Sequence, residues 1–569
     1  MPTSARPPST PAPTTTSQEF NLLDNPWISC LMLDGSTTEL SLREVYLLSP
    51  EISRISGESP LQSAAVLRVV LAAFWRGHLT HGGLASRRTR ASAWWLRLFE
   101  APDGPELYDP VLNYLEEHRR RFDLLDTSAP FMQVADLQKQ DGSILNVRRL
   151  IPEAESDYFT MREGPGRDAL SLAEAARWLI TAQAYDYSGI KPGAVGDPRV
   201  KNGKGYPIGP GWSGQAGVVI LHGSSLAETL MLNTTPSTIR RGIDDEPDAP
   251  AWERAPHTAA PRHIEASHPT GPCDAVTWQS RRIRLHLTDD LVTGLLISNG
   301  DKIVTKNQFE DPMTGYRYSR NQSSKSQDVF MAREHQEDLT VWRGVPGLLV
   351  REGVVTLAEN TPPGQQPATV EWLHGISRDD FPEDRLVHAE LVGAVYGAQQ
   401  SSHANTISST VPFQLNLLTA GDSGLVKAAV DAVSSALEAT VALGQFVGAL
   451  GQAAGGDYAF HAASRQAALH SLAESFEDWL IHLGPSTDRD THQARWHRTV
   501  RGIVLDHARI QLDGANPAAL TGRLIGDERP RLVSASTAWS SLLRRLTVAL
   551  PQSTPATPPP AEQEKTDVH

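Results

Sequence analysis

The chain is poor in cysteine, with only Cys30 and Cys273 among 569 residues. Two thiols cannot build a disulfide scaffold or an all-cysteine metal site, and they suit a reducing cytoplasm. Positive charge is also short: 66 acidic against 52 basic side chains give a formal net charge of −14. That balance excludes a free-standing, non-specific nucleic-acid binder with a broad basic surface, while leaving room for local basic clusters on phosphate. Long uncharged apolar runs are missing too. The most apolar stretch, Gly424 to Gly451, carries Lys427, Asp431 and Glu438, so it reads as a packed helix and not a membrane span. The opening MPTSARPPSTPAPTTTSQE lacks the apolar centre of a secretory signal.

What is present suits a soluble globular protein: 40% apolar and 21% charged residues. Pro-rich polar ends at 1–19 and 551–569 cannot bury a core and are expected to be disordered tails. Between them the composition changes once. Over 20–415, strand-like runs (217–223, 281–287, 347–357) alternate with helical spacing (61–79, 171–185) and two long loops, 189–217 and 234–277. Over 416–550, four Ala/Leu-periodic stretches (422–450, 456–483, 488–512, 516–549) have short connections, which predicts a four-helix bundle. Pro530 predicts that the last stretch is kinked or split. The expected fold class is α+β: a large mixed α/β N-terminal domain with long loops, then an all-α C-terminal domain.

Catalytic motifs do not hold up. GDSG at 421–424 resembles a serine-protease nucleophile turn, but it opens an alanine-rich helix, where Asp422 or Ser423 is a natural N-cap. GPGWSG at 209–214 fits G-x-G-x-x-G by letter, yet it follows a loop and leads into a strand, the reverse of a dinucleotide site. GDPRVKNGKG at 196–205 has the wrong spacing for a phosphate loop, and Gly205 stands where the magnesium-holding hydroxyl would be. The histidines show no metal-ligand spacing.

Three loops remain. The segment 187–217 combines glycines with Lys191, Arg199, Lys201 and Lys204, and 299–327 interleaves Lys302, Lys306, Arg317, Arg320 and Lys325 with Phe309, Tyr316 and Tyr318. Glycines admit close backbone approach, lysines neutralise phosphate and aromatics stack on bases. A solvated loop has the same composition, so both readings stay open. The third loop, 157–171, places Phe159 before a glycine-containing turn and a capped helix.

In this order the motifs FNLLDNPWISC (20–30), SAPFMQ (128–133), YFTMREGPGRDAL (158–170), DPMTGYR (311–317) and LVGAVYGAQQSS (391–402), with the helical end, resemble CasA, the large subunit of type I-E Cascade, a CRISPR surveillance complex. The resemblance implies a non-catalytic protein without cofactor or metal. It would sit in a cytoplasmic ribonucleoprotein with no membrane role, beside the CRISPR RNA 5′ handle and the backbone, small and handle-binding subunits. It implies recognition of the protospacer-adjacent motif (PAM) in double-stranded target DNA, a start to unwinding and R-loop formation, and recruitment of a nuclease-helicase. Carried over by position, the RNA-handle loop is Phe159, Thr160, Met161, Arg162, Gly164, Gly166 and Arg167. The PAM-facing glycine loop is Asn202, Gly203, Lys204 and Gly205. A lysine finger falls at Lys302 or Lys306, and a wedge hairpin carries Gln399, Gln400 and Ser401, with Gln400 at its tip. The rivals are a hydrolase with a dispersed active site and a protein-only assembly factor.

Overall fold

The computed structural model describes residues 19–86, 88–152, 162, 164–241, 248–336, 341–349, 364–376, 385–419, 423–526 and 530–553. At its centre lies the helix Pro60–Thr80, capped by Ser59 and apolar on nearly every face, so it is buried all round. Helices Pro105–Glu117, Leu172–Tyr185 and Pro272–Val276 pack on it, as do two strands of the antiparallel sheet in which Leu386–Tyr396 runs between Val218–His222 and His403–Gln414. A second three-stranded sheet joins Arg281–Thr288, Leu291–Asn299 and Leu145–Asn146, and a third, near the N-terminus, is built on Ile28–Met32.

One fully buried charge, Arg68, interrupts the central helix. It forks onto Asp311, its two terminal nitrogens donating at 3.2 and 2.7 Å. The same carboxylate accepts from Trp212 Nε1 at 2.8 Å and from the Met313 amide at 3.0 Å. The DPMTGYR motif is therefore a structural clamp that joins the central helix to the loops on either side. The G-x-G-x-x-G letters belong to the same clamp, because Trp212–Gln215 is a short 3-10 turn leading into strand Val218–His222.

The C-terminal region is helical. Ser423–Ala453 packs against Ala462–Ser471, Arg489–Asp513 and Ala535–Ala549, and Trp496 Nε1 donates to the Ala432 carbonyl at 2.8 Å. This is the one helix among the described residues long and apolar enough to cross a membrane, and it serves here as a core helix. One apolar core runs from the N-terminal region into this one. Trp342, on helix Val341–Leu349, meets Phe476 at 5.1 Å between ring centroids.

Three expectations change. Residues 347–349, expected to begin a strand, end that Val341–Leu349 helix, which packs its apolar face on Ser423–Ala453; 350–357 lies outside the described residues. The stretch 456–483 is two helices, Ala462–Ser471 and Ala473–Ile481. The stretch 516–549 is split, as Pro530 predicts, but by a small ribbon pairing Arg523–Ile525 with Arg531–Val533, which separates a one-turn helix from the helix Ala535–Ala549. Gly522 and Gly526 at positive φ, with Pro530, break the helical path, and a Ser534–Thr537 capping box restarts it. Most of both expected tails lies outside the described residues, but Pro551–Ser553 forms a 3-10 turn, with the Gln552 amide donating to His497 Nδ1.

Asp311→Ala should lower the unfolding free energy by about 3–5 kcal/mol in urea melts, because it strands the Arg68 charge in the core. Arg68→Met with Asp311→Leu should recover most of that loss. A double variant no more stable than Asp311→Ala would show that the pair matters for more than mutual charge compensation.

Candidate nucleic-acid interface

The Leu172–Tyr185 helix starts at a Ser171–Glu174 capping box and ends at Asp186. A carboxylate at a helix C-terminus faces the negative end of the macrodipole, so it needs compensation. Three cations supply it: Arg149 at 3.0 Å, Lys191 at 2.8 Å and Arg281, whose Nε donates to Asp186 Oδ2. Burial alone would raise the Asp186 carboxyl, but Arg281, Lys191 and Arg149 hold it well below the usual carboxylate range. Arg281 also donates to the carbonyls of Tyr187 and Gly209 at 2.8 and 3.0 Å, fastening both ends of the 187–209 loop. The Tyr187 ring lies under Arg149 and Lys191.

Within that loop, Lys191–Pro192 pairs with Lys204–Gly205, and the chain reverses at Lys201–Lys204. Lys201 and Lys204 exchange both backbone hydrogen bonds, at 3.0 and 3.1 Å, around Asn202 (φ 52°) and Gly203 (φ 70°). Positive φ at both central residues is the Asn-Gly signature of a tight hairpin turn. Lys201, Asn202, Gly203 and Lys204 are exposed, and a side chain on Gly203 would meet open space. Gly205 is different: its missing Cβ would sit 2.9 Å from Asn299 Nδ2, which donates to the Tyr206 carbonyl at 2.6 Å.

Asn299 connects this turn to the lysine segment. It ends the strand Leu291–Asn299, in register with Arg281. Arg199 donates to the Gly300 and Asn299 carbonyls and pairs with Asp197 at 3.0 Å. Asp301 is gripped by Arg262 and Arg282. Lys302 follows, exposed, with its carbonyl accepting from the Ser267 amide. Lys306 is exposed four residues further on, beside Asn307, whose side chain accepts from the Phe330 amide at 2.7 Å. Lys302 therefore shares its support with the glycine turn, whereas Lys306 stands on the Tyr316–Tyr318/Phe330–Ala332 ribbon.

The glutamines crown the long hairpin. Strand Val218–His222 pairs with only His388–Val392 of its first strand, so beyond Val392 the arm is a two-stranded ribbon. The Tyr396 hydroxyl donates to the Tyr185 carbonyl at 2.7 Å, tying the arm beside the Asp186 cluster. At the tip the Gly397 and Gln400 amides donate to the Ser402 and Gly397 carbonyls. Gln399 (φ 55°) and Gln400 (φ 54°) are successive left-handed residues, each costing roughly 1–2 kcal/mol of backbone strain. Residues 398–402 are exposed, and the Ser401 carbonyl lies 3.7 Å from where a Cβ on Gly189 would be. The Asn202–Gly203 turn, the Lys302 segment and the glutamine tip thus stand on one buried framework.

Residues 21–507 match the sequence profile of CRISPR-associated protein Cse1. The chain belongs to the CRISPR-associated Cse1 family. Its fold resembles the crystal structure of Thermobifida fusca Cse1, 36% identical, with a TM-score of 0.83 over 95% of this chain and 100% of that one. Cse1 from Acidimicrobium ferrooxidans is 27% identical, with a TM-score of 0.76 over 95% and 99%. CasA/Cse1 of Thermus thermophilus is 28% identical over 418 residues, 71% of this chain and 72% of that protein. The CasA resemblance read from short motifs is this family, and the mixed α/β and helical architecture is that of its solved Cse1 relatives.

Some residues of the basic loops are not at the surface. Lys191 is buried in the Asp186 cluster and Arg199 is spent on loop carbonyls, so neither meets phosphate. In the loop expected to meet the RNA handle, Phe159, Thr160 and Met161 lie outside the described residues. Arg162 pairs with Glu58 and, at 3.5 Å, with Glu174. The turn Gly164–Arg167, which includes Gly166, follows, and the next residue, Asp168, accepts from Arg148. Asp186, Arg281, Asn299 and Tyr396 were missed as organisers. The acidic end of a strongly capped helix was their one signal.

Burial pushes the Lys191 ammonium down from 10.5 to about 7, helped by Arg281 and Arg149 and opposed by Asp186. Between those values the unfolded chain binds the extra proton, so Lys191 makes stability rise from pH 7 towards 10.5. Lys191→Met should abolish that component in denaturant melts while Arg281 and Arg149 still serve Asp186. Equal pH slopes for the two proteins would refute the desolvated ammonium.

Proposed function

We propose that this chain is the non-catalytic large subunit of an RNA-guided antiviral DNA surveillance complex, where it reads the PAM of double-stranded DNA and helps start unwinding. The observation that carries this reading is the shared support of three exposed polar features: the Asn202–Gly203 turn, Lys302 and the Gln399–Gln400 tip. The minor groove presents mainly acceptors plus the guanine amino group, so a backbone turn with Asn202, Gly203, Lys204 and Gly205 and one lysine can read it only permissively. Such a reader suffices where guide pairing supplies the sequence check. Lys302 is the better finger, since it rises from the segment that holds the glycine turn; Lys306 is the alternative.

Gln400, with Gln399 and Ser401 beside it, is the wedge. Its amide is uncharged and long enough to fill the place of a displaced base. Unstacking costs a few kcal/mol per step, so the wedge starts opening and guide pairing carries it forward. Phe159 to Arg167 face the RNA 5′ handle. The cytoplasmic partners are the backbone, small and handle-binding subunits, followed by the nuclease-helicase once the R-loop has formed.

Gln400→Gly separates wedge from fold, because glycine accepts the positive φ and only the amide is lost. Stability should stay within about 1 kcal/mol of wild type, strain relief offsetting chain entropy. Binding of the reconstituted complex to intact PAM-bearing duplex should weaken on the order of tenfold, ~1.4 kcal/mol. A target already unpaired beside the PAM should restore it. Lys302→Ala should weaken binding to both targets and lower the salt slope by about 1. Wild-type binding of intact duplex by Gln400→Gly would remove the wedge.

A further inference from the structure

An open cavity lies away from these loops, in the helical region. It is a groove of about 610 Å³ between Ser423–Ala453 and Ala535–Ala549, closed at one side by Ala462–Ser471. Helical spacing explains its lining. Leu437, Val441 and Gln445 recur every four residues along one helix, and Ser541, Arg544, Arg545 and Val548 share a face of the other. The two helices meet below it, where Phe446 and Trp539 pack edge to face at 5.7 Å.

Its chemistry is specific. The floor is aliphatic, and Val548 is 80% exposed, in a helix whose other face is fully buried. The rim carries Arg465, Arg544 and Arg545 against one acid, Glu438, a local positive excess in a chain of net charge −14. Among the described residues none of the three arginines has an ion-pair partner. Two buried polar atoms on the lining, Gln445 Oε1 and Arg465 Nε, lack hydrogen-bond partners, so a donor and an acceptor are both left unmet inside the groove.

We propose that this groove docks an acidic amphipathic helix of a protein partner. Apolar residues at i, i+3 or i+4 and i+7 would lie on Leu437, Val441 and Val548, and flanking carboxylates would meet Arg465, Arg544 and Arg545. A nucleic acid fits less well: the lining has no aromatic platform for bases, and its aliphatic floor would lie under phosphates. The site is independent of the PAM-facing loops, whose failure as DNA readers would leave it standing.

The test places a photo-crosslinking amino acid at Val548 of the full chain. That protein is combined with guide-loaded partner subunits and, separately, with the nuclease-helicase. The expected result is a crosslink to one protein, mapped by peptide mass spectrometry to an acidic helical segment. Arg544→Glu with Arg545→Glu should then weaken association with that protein by about tenfold or more at low salt, with an unchanged melting temperature. Charge reversal of the mapped acids to lysine should restore it. Crosslinks only to RNA or DNA, to a segment without acids, or to neither preparation would overturn the proposal.

Discussion

The Asp186 carboxylate, ringed by Arg149, Lys191 and Arg281, is the interaction on which the candidate interface depends. It stops a helix, starts the glycine loop and fixes the first residue of the strand whose partner, Asn299, holds Tyr206. One residue earlier, the Tyr185 carbonyl receives the Tyr396 hydroxyl and with it the glutamine arm. Three cations on one buried anion are costly to desolvate, and Arg281 offsets part of that cost by donating as well to the carbonyls of Ser280, Asp186, Tyr187 and Gly209. The loops at the surface can then be short, polar and strained without wandering.

This division of labour reconciles an acidic chain with the proposed DNA-facing role. Many of the arginines near the interface are engaged inside it: Arg149 and Arg281 on Asp186, Arg199 on Asp197, Arg262 and Arg282 on Asp301. The cations left at the surface of these loops are Lys201, Lys204, Lys302 and Lys306, with Arg317, Arg320 and Lys325 further along the second loop. A free-standing binder would need a broad basic face. A subunit that leans on RNA and neighbouring proteins needs only a few well-placed contacts, and rigid support matters more for these than net charge does.

Legibility in the sequence followed the range of the forces involved. Helix 60–80, helix 172–185 and strands 218–222 and 281–288 were legible because their apolar periodicity and caps are local. The 347–349 segment was misread because a short apolar run suits a strand as well as a buried helix until its packing partner is known. Asn202–Gly203 is a turn signal in its own right, yet it was read as loop composition instead of a hairpin. Lys191 and Arg199 looked like surface cations because the partners that bury them are Asp186, packed among distant arginines, and carbonyls a hundred residues away. The glutamine tip was visible as a polar knot between strand-like runs, but its two left-handed residues were not.

The most direct measurement adds wild-type protein to guide-loaded partner subunits and follows binding of two duplexes that differ only in the PAM. The account predicts that tight binding and local opening of the PAM-bearing duplex appear only when this chain is present. They should vanish when the PAM is replaced, although guide complementarity is complete. Equal binding of the two duplexes, or PAM discrimination by the partner subunits alone, would contradict it.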